Sequence, residues 1–463
     1  MKICVLSGSP AGKNSITLQT VLYLEKKFPE DSFEIIYAGS EIKSLEKDMS
    51  AALKQIKSSE LILFCYPVYT FLVPSQLHRF IELMKTSGID LSDKYAAQFS
   101  TSKHFYDTTA HNFIEENCAD MGLRYAGGLS ADMEDLLREE GREDAVSFWK
   151  MVRWRVQKGI CRKPDLPESI PVNPYRRCLK ETIKHDGHDT VVVANLKETD
   201  TSLRNMIADF AAAYPYRTRV VNIGEFPFKG GCLGCFHCAS TGKCIYKDGF
   251  DDFLRNEIQS ADAIVYAFTV TDHSMGSCMK MYDDRQFCNG HRTVTMGKPV
   301  GYLINGRLSQ EPNLKLTIEG RAQVGGNFLA GCAQDEEGIR DLSMNLAYAV
   351  RYHVQKPAMF LGVGGMKIFR DLIWVMQGLM KADHKFYKEH GFYDFPQKRV
   401  GTILLMKAAG AAMENKTVRK KIGSKMTEGM LMPYRKVILS EQCSGCTGKA
   451  SSRSSERKGR ISA

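Results

Sequence analysis

Fourteen cysteines are spread through this 463-residue chain, and four of them fall within thirteen positions, in the stretch GGCLGCFHCASTGKC. Cys232, Cys235, Cys238 and Cys244 are spaced C-x2-C-x2-C-x5-C. Spacers this short, on one loop, let four thiolates converge on one iron–sulfur cube. Structural zinc usually takes two C-x2-C knuckles a dozen or more residues apart, and no such gap occurs here. In the bacterial ferredoxin run, C-x2-C-x2-C-x3-C-P, the fourth cysteine serves another cluster. Here the last spacer is longer and Ile245 stands where the proline would be, so Cys244 can close the same cube. A 4Fe-4S cluster is the first reading, zinc the second, and thiols that have lost their metal the third. His237, inside the motif, is expected to be a bystander. Cys443 and Cys446 form another C-x2-C near the end, with no second pair beside it. Cys4 and Cys65 lie in apolar runs and are expected in the core.

A second set of residues suits a phosphate and a flat ring. The stretch SGSPAGKNSIT follows a short apolar run, and its Ser9, Asn14, Ser15 and Thr17 could meet a phosphate with hydroxyls and backbone N–H groups, with Lys13 adding charge. It lacks the spacing of a P-loop and of a dinucleotide fingerprint, and an ordinary polar turn is the alternative. CYPVYTF brings a stiff aromatic loop at Pro67, Val68 and Tyr69, and STSKHFYD brings hydroxyls at Ser100 and Ser102. Phosphate loop, stiff aromatic loop and polar aromatic loop come in the order that suits FMN. His104 and His273 fall on loops at the same ends of their strands; proton donation is one reading, a solvated loop histidine the other. Asp251 with Asp252, and Asp283 with Asp284, are expected as helix-start and surface charge. No Ser-His-Asp or zinc-hydrolase pattern is present, so no protein nucleophile is expected and the chemistry would be the flavin's.

The elements that must position these residues are written twice. KICVL, FEIIY, ELILFCY, KYAAQFST and LRYAGGLS alternate with helical stretches at 15–27, 43–57, 75–84 and 108–121. Alternation of this kind predicts a parallel sheet covered by helices on both faces. DTVVVA, RVVNIGEF, ADAIVYAF, KPVGYLING and GGNFLAGCA repeat the order about 190 to 203 residues later. The expected fold is therefore α/β, with two tandem doubly wound domains. The cysteine stretch is part of what the second copy has inserted after its second strand. The expected division is 1–150, a connector at 151–187 with the proline-rich core KPDLPESIPVNPYRR, a second domain at 188–350, a helical region at 351–440 and a basic tail at 441–463.

At GSPAGKNSIT, YPVYTFLVPSQLHRFIE and GCLGCFHCASTGKCIYKDGFDDFLRNEIQSADAIVYAF the chain resembles the flavodoxin-like NAD(P)H-dependent FMN reductases, and more closely their iron–sulfur flavoprotein branch. The resemblance covers about residues 1–135 and 188–345. It implies a flavodoxin-like fold, FMN as flavin and a 4Fe-4S cluster on the cysteines close to it. Family members are usually oligomers of one such domain, so the chain is expected to be an internal pseudo-dimer, open to further homo-oligomerisation. The first half keeps the phosphate loop and lacks the cysteines. The second half has the cysteines, but its first loop, ANLKETDT, has no glycine and Thr269 stands where Pro67 was. Divided labour is expected, with FMN in the first domain and the cluster in the second. A second FMN at Asn195, Thr199, Thr201 and Ser202 is the alternative.

Composition bounds the rest. A hydrophobic share of 43% and a charged share of 25% are those of ordinary globular protein. The net charge of +10 is concentrated: from residue 416 onward twelve Lys or Arg face three Glu, a net +9, which leaves about +1 for the rest. A basic tail, rather than a basic face, argues against nucleic-acid binding. MKICVLSGSP carries no secretory h-region, and no run of eighteen apolar residues occurs, so a cytoplasmic protein without membrane attachment is expected. Its expected work is flavin-dependent electron transfer between NAD(P)H, or a redox protein such as ferredoxin, FMN and the cluster. The alternatives are an electron carrier with no small-molecule substrate, and a quinone or nitro reductase lacking the cluster.

Overall fold

The computed structural model describes residues 1–161, 173–418, 431–432 and 434–435. The chain forms one compact unit from Met1 to Phe392 and a second beginning at Tyr393. The first unit opens with β1 (Lys2–Ser7), α1 (Ile16–Lys27), β2 (Ser32–Ile36), α2 (Ile42–Leu45), α3 (Ser50–Ser58) and β3 (Leu61–Pro67). It continues through α4 (Ser75–Thr86), β4 (Tyr95–Ser102), α5 (Asp107–Asp120), β5 (Arg124–Asp132) and α6 (Glu139–Lys158). The single helix expected over 43–57 is broken in two, because the Asp48 carboxylate accepts the Ser50 N–H at 2.8 Å and starts a new helix there. The boundary expected at residue 150 falls inside α6, which packs on the first sheet through Trp149 and Val152.

The second copy runs β6 (Asp189–Ala194), α7 (Thr201–Ala213), β7 (Arg217–Asn222), α8 (His237–Thr241), α9 (Phe250–Phe253) and β8 (Ala263–Thr269). Then come α10 (Gly276–Arg285), β9 (Pro299–Asn305), α11 (Pro312–Val324), β10 (Phe328–Ala333) and α12 (Glu336–Tyr352). Each copy builds a five-stranded parallel sheet, ordered β2-β1-β3-β4-β5 and β7-β6-β8-β9-β10. This is the flavodoxin-like order, with its switch point beside the first strand. The central strands LILFCYP and AIVYAFT are apolar throughout because helices cover both faces. Two helices without counterpart in the first half follow, α13 (Phe360–Val375) and α14 (Lys381–Glu389), and the second unit holds α15 (Val400–Met413). Among the described residues no helix is long and apolar enough to cross a membrane. Cys443 and Cys446 lie outside the described residues, as does the proline-rich stretch 162–172 of the connector.

The two copies meet through equivalent helices, α4 against α10 and α5 against α11. Each of α4 and α10 has its open N-terminal end capped by a carboxylate of the other. Ser75 N–H donates to Asp284 Oδ2 at 2.8 Å, and Ser277 N–H donates to Glu82 Oε1 at 2.7 Å. Asp283 and Asp284 are thus buried in the interface, 6% and 1% exposed, and not surface charge. Asp284 also pairs with Lys280, and Asp283 with Arg321, so both carboxylates are compensated where they lie. Asp252 is exposed and Asp251 half-buried, holding the Cys244 N–H at 2.7 Å.

His273 departs from the solvated-loop expectation as well. It stands between Asp120 of α5, 3.1 Å from Nε2, and Glu311 at the head of α11, 2.9 Å from Nδ1. Burial alone would lower its pKa, but the two carboxylates hold it up, to about 10. Glu116, also facing it, is pushed up to about 7 by burial, while Lys85 pairs with Asp120 on the far side. The imidazolium therefore stabilises the interface fully below pH 6.5, and that contribution is lost as pH rises through about 10. The ceiling is about 5 kcal/mol, reduced by partial exposure of the ring. The thermal midpoint is expected to fall between pH 6.5 and 10, and His273→Gln should flatten that slope.

Candidate functional site

The site lies at the carboxyl ends of the first sheet's strands. After β1 the chain turns through Gly12, at a φ of +55°, where an added Cβ would fall 2.8 Å from Ser40 Oγ. Ser15 then caps α1, accepting the Leu18 N–H at 3.4 Å, which leaves the first N–H groups of the helix directed at the loop. Thr17 shares a hydrogen bond of 2.6 Å with Thr101 and ties the loop to β4. After β3, Tyr69 and Leu72 close a tight turn by exchanging both backbone hydrogen bonds, at 2.8 and 3.0 Å, with Thr70 and Phe71 at φ of +42° and +72°. Two non-glycine residues in the left-handed region are strained, and Lys280 Nζ helps to hold them by donating to the Tyr69 carbonyl at 2.9 Å. The second copy repeats this turn at Thr271–Ser274, with Asp272 and His273 at positive φ.

The cysteine loop leaves β7 and lies against the first copy. Lys43 Nζ donates to the Lys229 carbonyl at 2.5 Å, and Gln76 Nε2 to the Cys232 carbonyl at 3.2 Å. A Cβ on Gly231 would fall 2.5 Å from Ser75 Oγ, and one on Gly234 would fall 1.9 Å from the Tyr69 hydroxyl. Glycine at these two positions is what brings the loop onto the aromatic turn. Behind the loop Arg285, 1% exposed, forms a two-pronged pair with Asp248 at 2.8 and 2.9 Å, donates to the Gly230 carbonyl at 2.8 Å and lies 4.4 Å from the centre of the Tyr246 ring.

These parts face one cavity of about 340 Å³. Ser9, Asn14, Ser15, Thr17, Pro67, Val68, Tyr69 and Ser102 line it from the first copy, and Cys232, Cys235, Cys238 and Cys244 line it from the second. Lys13 and Ser100 are not on its wall. Lys13 is exposed, with its ammonium 5.9 Å from the Tyr37 ring centre. Ser100 is turned to His111, 2.7 Å from Nε2, and Thr101 takes the place on the wall. His237 is exposed and off the wall, and His104 is exposed and held by Asp107 at 2.9 Å. In the second copy the Ser202 hydroxyl accepts the N–H of Tyr175 from the connector at 3.1 Å, while Thr199 and Thr201 are exposed. Cys4 and Cys65 are buried, and every described cysteine is free of a disulfide.

Burial pushes Cys232 up to about 12 and Cys238 up to about 11, with the neighbouring cysteines among the charges that add to it. Burial of these two thiols disfavours their thiolate forms unless a cation lies beside them. Four thiols of one loop on one cavity wall are a donor set for a metal centre, zinc or an iron–sulfur cube. The open N-terminal turn of α1, the aromatic turn and the hydroxyls of β4 likewise suit a flavin phosphate and ring.

Several wall residues have no local signal in the sequence. α13 closes one side of the cavity with Ile368, Phe369 and Leu372. His291 also lines it. The His291 Nδ1 is 2.9 Å from Asp383 Oδ2, and the same oxygen accepts the His291 N–H at 3.0 Å. Asp383 belongs to α14 and is fully buried. The imidazole is thereby oriented through Nδ1 by a residue 92 positions away.

Residues 1–112 match the family of NADPH-dependent FMN reductases. A curated relative, the iron-sulfur flavoprotein of Archaeoglobus fulgidus, is 28% identical over 176 residues, which are 35% of this chain and 79% of that protein. Among solved structures, an FMN-dependent NADH-azoreductase from Bacillus anthracis in complex with FMN is 13% identical over 35% of this chain and 99% of its own, with a TM-score of 0.28. An NAD(P)H:quinone oxidoreductase from Methanothermobacter marburgensis is 11% identical over 36% of this chain and 98% of its own, with a TM-score of 0.28.

Proposed function

We propose, from the match of residues 1–112 to the family of NADPH-dependent FMN reductases, an oxidoreductase that passes electrons between NAD(P)H or a protein donor, FMN on the first copy and a 4Fe-4S cluster on the second. The observation that carries this reading is the shared cavity: the phosphate loop, the Pro67–Tyr69 turn and all four loop cysteines line one space. The relative from Archaeoglobus fulgidus, an iron-sulfur flavoprotein by name, supports it. When bound, the flavin supplies hydride chemistry and the cluster supplies one-electron chemistry.

The chain's own part is to bind, orient and exclude water. The first turn of α1, with Asn14, Ser15 and Thr17, would hold the phosphate, and Pro67, Val68 and Tyr69 the ring. Cys232, Cys235, Cys238 and Cys244 would hold the cluster on the far wall. Tyr69, with its hydroxyl against Gly234, stands where the two walls meet. Arg285 contributes a fixed positive charge beside Cys244. His291, oriented by Asp383, would deliver a proton to a reduced acceptor.

Protein purified without oxygen is expected to carry about four iron, four sulfide and one FMN per chain. Flavin without iron would remove the cluster from this reading, and zinc at one per chain would replace it. Asp383→Asn keeps the shape of the pair but removes the carboxylate that orients the imidazole. Turnover with a quinone, which needs protons, is expected to fall about 10- to 100-fold. Turnover with ferricyanide, which takes electrons alone, should fall much less; equal losses would remove His291 from proton delivery.

A further inference from the structure

We propose that His78, Glu82 and Asp272 form a site for a divalent transition metal of the zinc type at the junction of the two copies, apart from the flavin and cluster cavity. His78 and Glu82 are one helical turn apart on α4 and share a face. Asp272 comes from the strained turn after β8, at a φ of +54°. The His78 Nε2 lies 3.7 Å from Asp272 Oδ2 and 4.0 Å from Glu82 Oε1, and one ligand atom from each residue lies within 4.8 Å of the others. These separations are too long for good hydrogen bonds, yet they suit three donors each about 2.1 Å from one ion.

Two further observations point to a ligand. His78 is fully buried, and neither of its ring nitrogens has a hydrogen-bond partner; Asp272 Oδ2, facing it, has none either. A buried imidazole without any partner is costly, and an ion on Nε2 would remove half of that deficit. The carboxylates are already oriented: Glu82 Oε1, the oxygen nearer His78, accepts the Ser277 N–H at 2.7 Å, Oε2 accepts the Ser277 hydroxyl at 2.6 Å and Arg79 at 3.0 Å, and Lys85 holds Asp272 Oδ1 at 2.8 Å. Orienting partners of this kind accompany metal-ligating carboxylates.

The pseudo-symmetric position supports the same conclusion. There, Lys280 stands in place of His78, Asp284 in place of Glu82 and Thr70 in place of Asp272. The Lys280 ammonium supplies the cation directly, to Asp284 and to the Tyr69 carbonyl. On α4 an imidazole stands where α10 has the ammonium, and the second copy's turn brings a second carboxylate, Asp272, where the first copy's turn has Thr70. One imidazole with two carboxylates is a donor set for zinc and its neighbours, not for calcium. A metal here would fasten α4 to the second copy's turn.

The test uses cluster-loaded protein under anoxic conditions, titrated with Co2+. One tightly held Co2+ per chain is expected, displaced by Zn2+, without the intense charge-transfer absorption of cobalt–thiolate bonds. His78→Gln should weaken binding more than about 100-fold. His78→Lys, which copies the other half's arrangement, should fold and bind none. Zn2+ should raise the thermal midpoint of the parent protein and of neither variant. No stoichiometric Co2+ in the parent protein, binding unchanged in both variants, or a thiolate spectrum would each overturn the site.

Discussion

Cys238→Ala is expected to strip the iron and sulfide from the protein, from about four of each per chain to below one, while FMN stays bound. The thiol stands at the start of α8 on the cavity wall, and the three other cysteines cannot complete a four-thiolate shell without it. The residues proposed to hold the flavin belong to the other copy, so the two losses should be separable. Electron flow from NAD(P)H to a one-electron acceptor should fall with the iron, whereas reduction of bound flavin by NAD(P)H should persist. Iron, sulfide and flavin analysis with the visible spectrum decides it. Unchanged iron would show that Cys238 is not a ligand; joint loss of iron and flavin would show that the loop holds the flavin too.

Arg285→Met should have the largest effect on stability, about 3–5 kcal/mol. The side chain is among the largest fully buried ones, and its partner Asp248 is buried with it. Removing only the guanidinium leaves a carboxylate without its charge partner and the Gly230 carbonyl without its donor. It also removes a cation stacked near Tyr246 and Phe250. The methionine replaces much of the volume, so the loss is electrostatic rather than a cavity. Denaturant unfolding is expected to show the drop. Arg285→Met combined with Asp248→Asn should recover part of it, and no recovery would assign the loss to packing.

Much of the fold was legible because its signals are local. Strands buried on both faces read as short apolar runs, and KICVL against DTVVVA or ELILFCY against ADAIVYAF exposed the duplication. The four cysteines and the SGSPAGKNSIT loop were legible for the same reason: each supplies its donors from a dozen neighbouring residues. Side-chain direction within those loops was not. Lys13 and Ser100 have the right chemistry in the right segments, yet one is exposed and the other is turned to His111. In the β4 segment the position along the strand decides: Ser100 lies a step further in, where His111 of α5 takes its hydroxyl, while Thr101 and Ser102 at the strand end reach the wall.

Charge was misread where burial depends on a partner far away. Asp283 and Asp284 look like surface residues until Arg321, Lys280 and the N-terminus of α4 are placed beside them. The same holds for His291 and Asp383, and for His78 with Asp272, which no periodicity connects.

By itself the sequence determined the two parallel sheets and their order of elements, and it marked the SGSPAGKNSIT loop and the four close cysteines as candidates, because backbone pattern and short-range spacing encode those. Only the tertiary structure decided that loop and cysteines face one cavity, that α13 and α14 complete it, and that carboxylates are buried between the copies. Those outcomes depend on contacts between residues far apart in the chain. Their energies come from desolvation and pairing at the moment of packing, and neither leaves a mark on the local sequence.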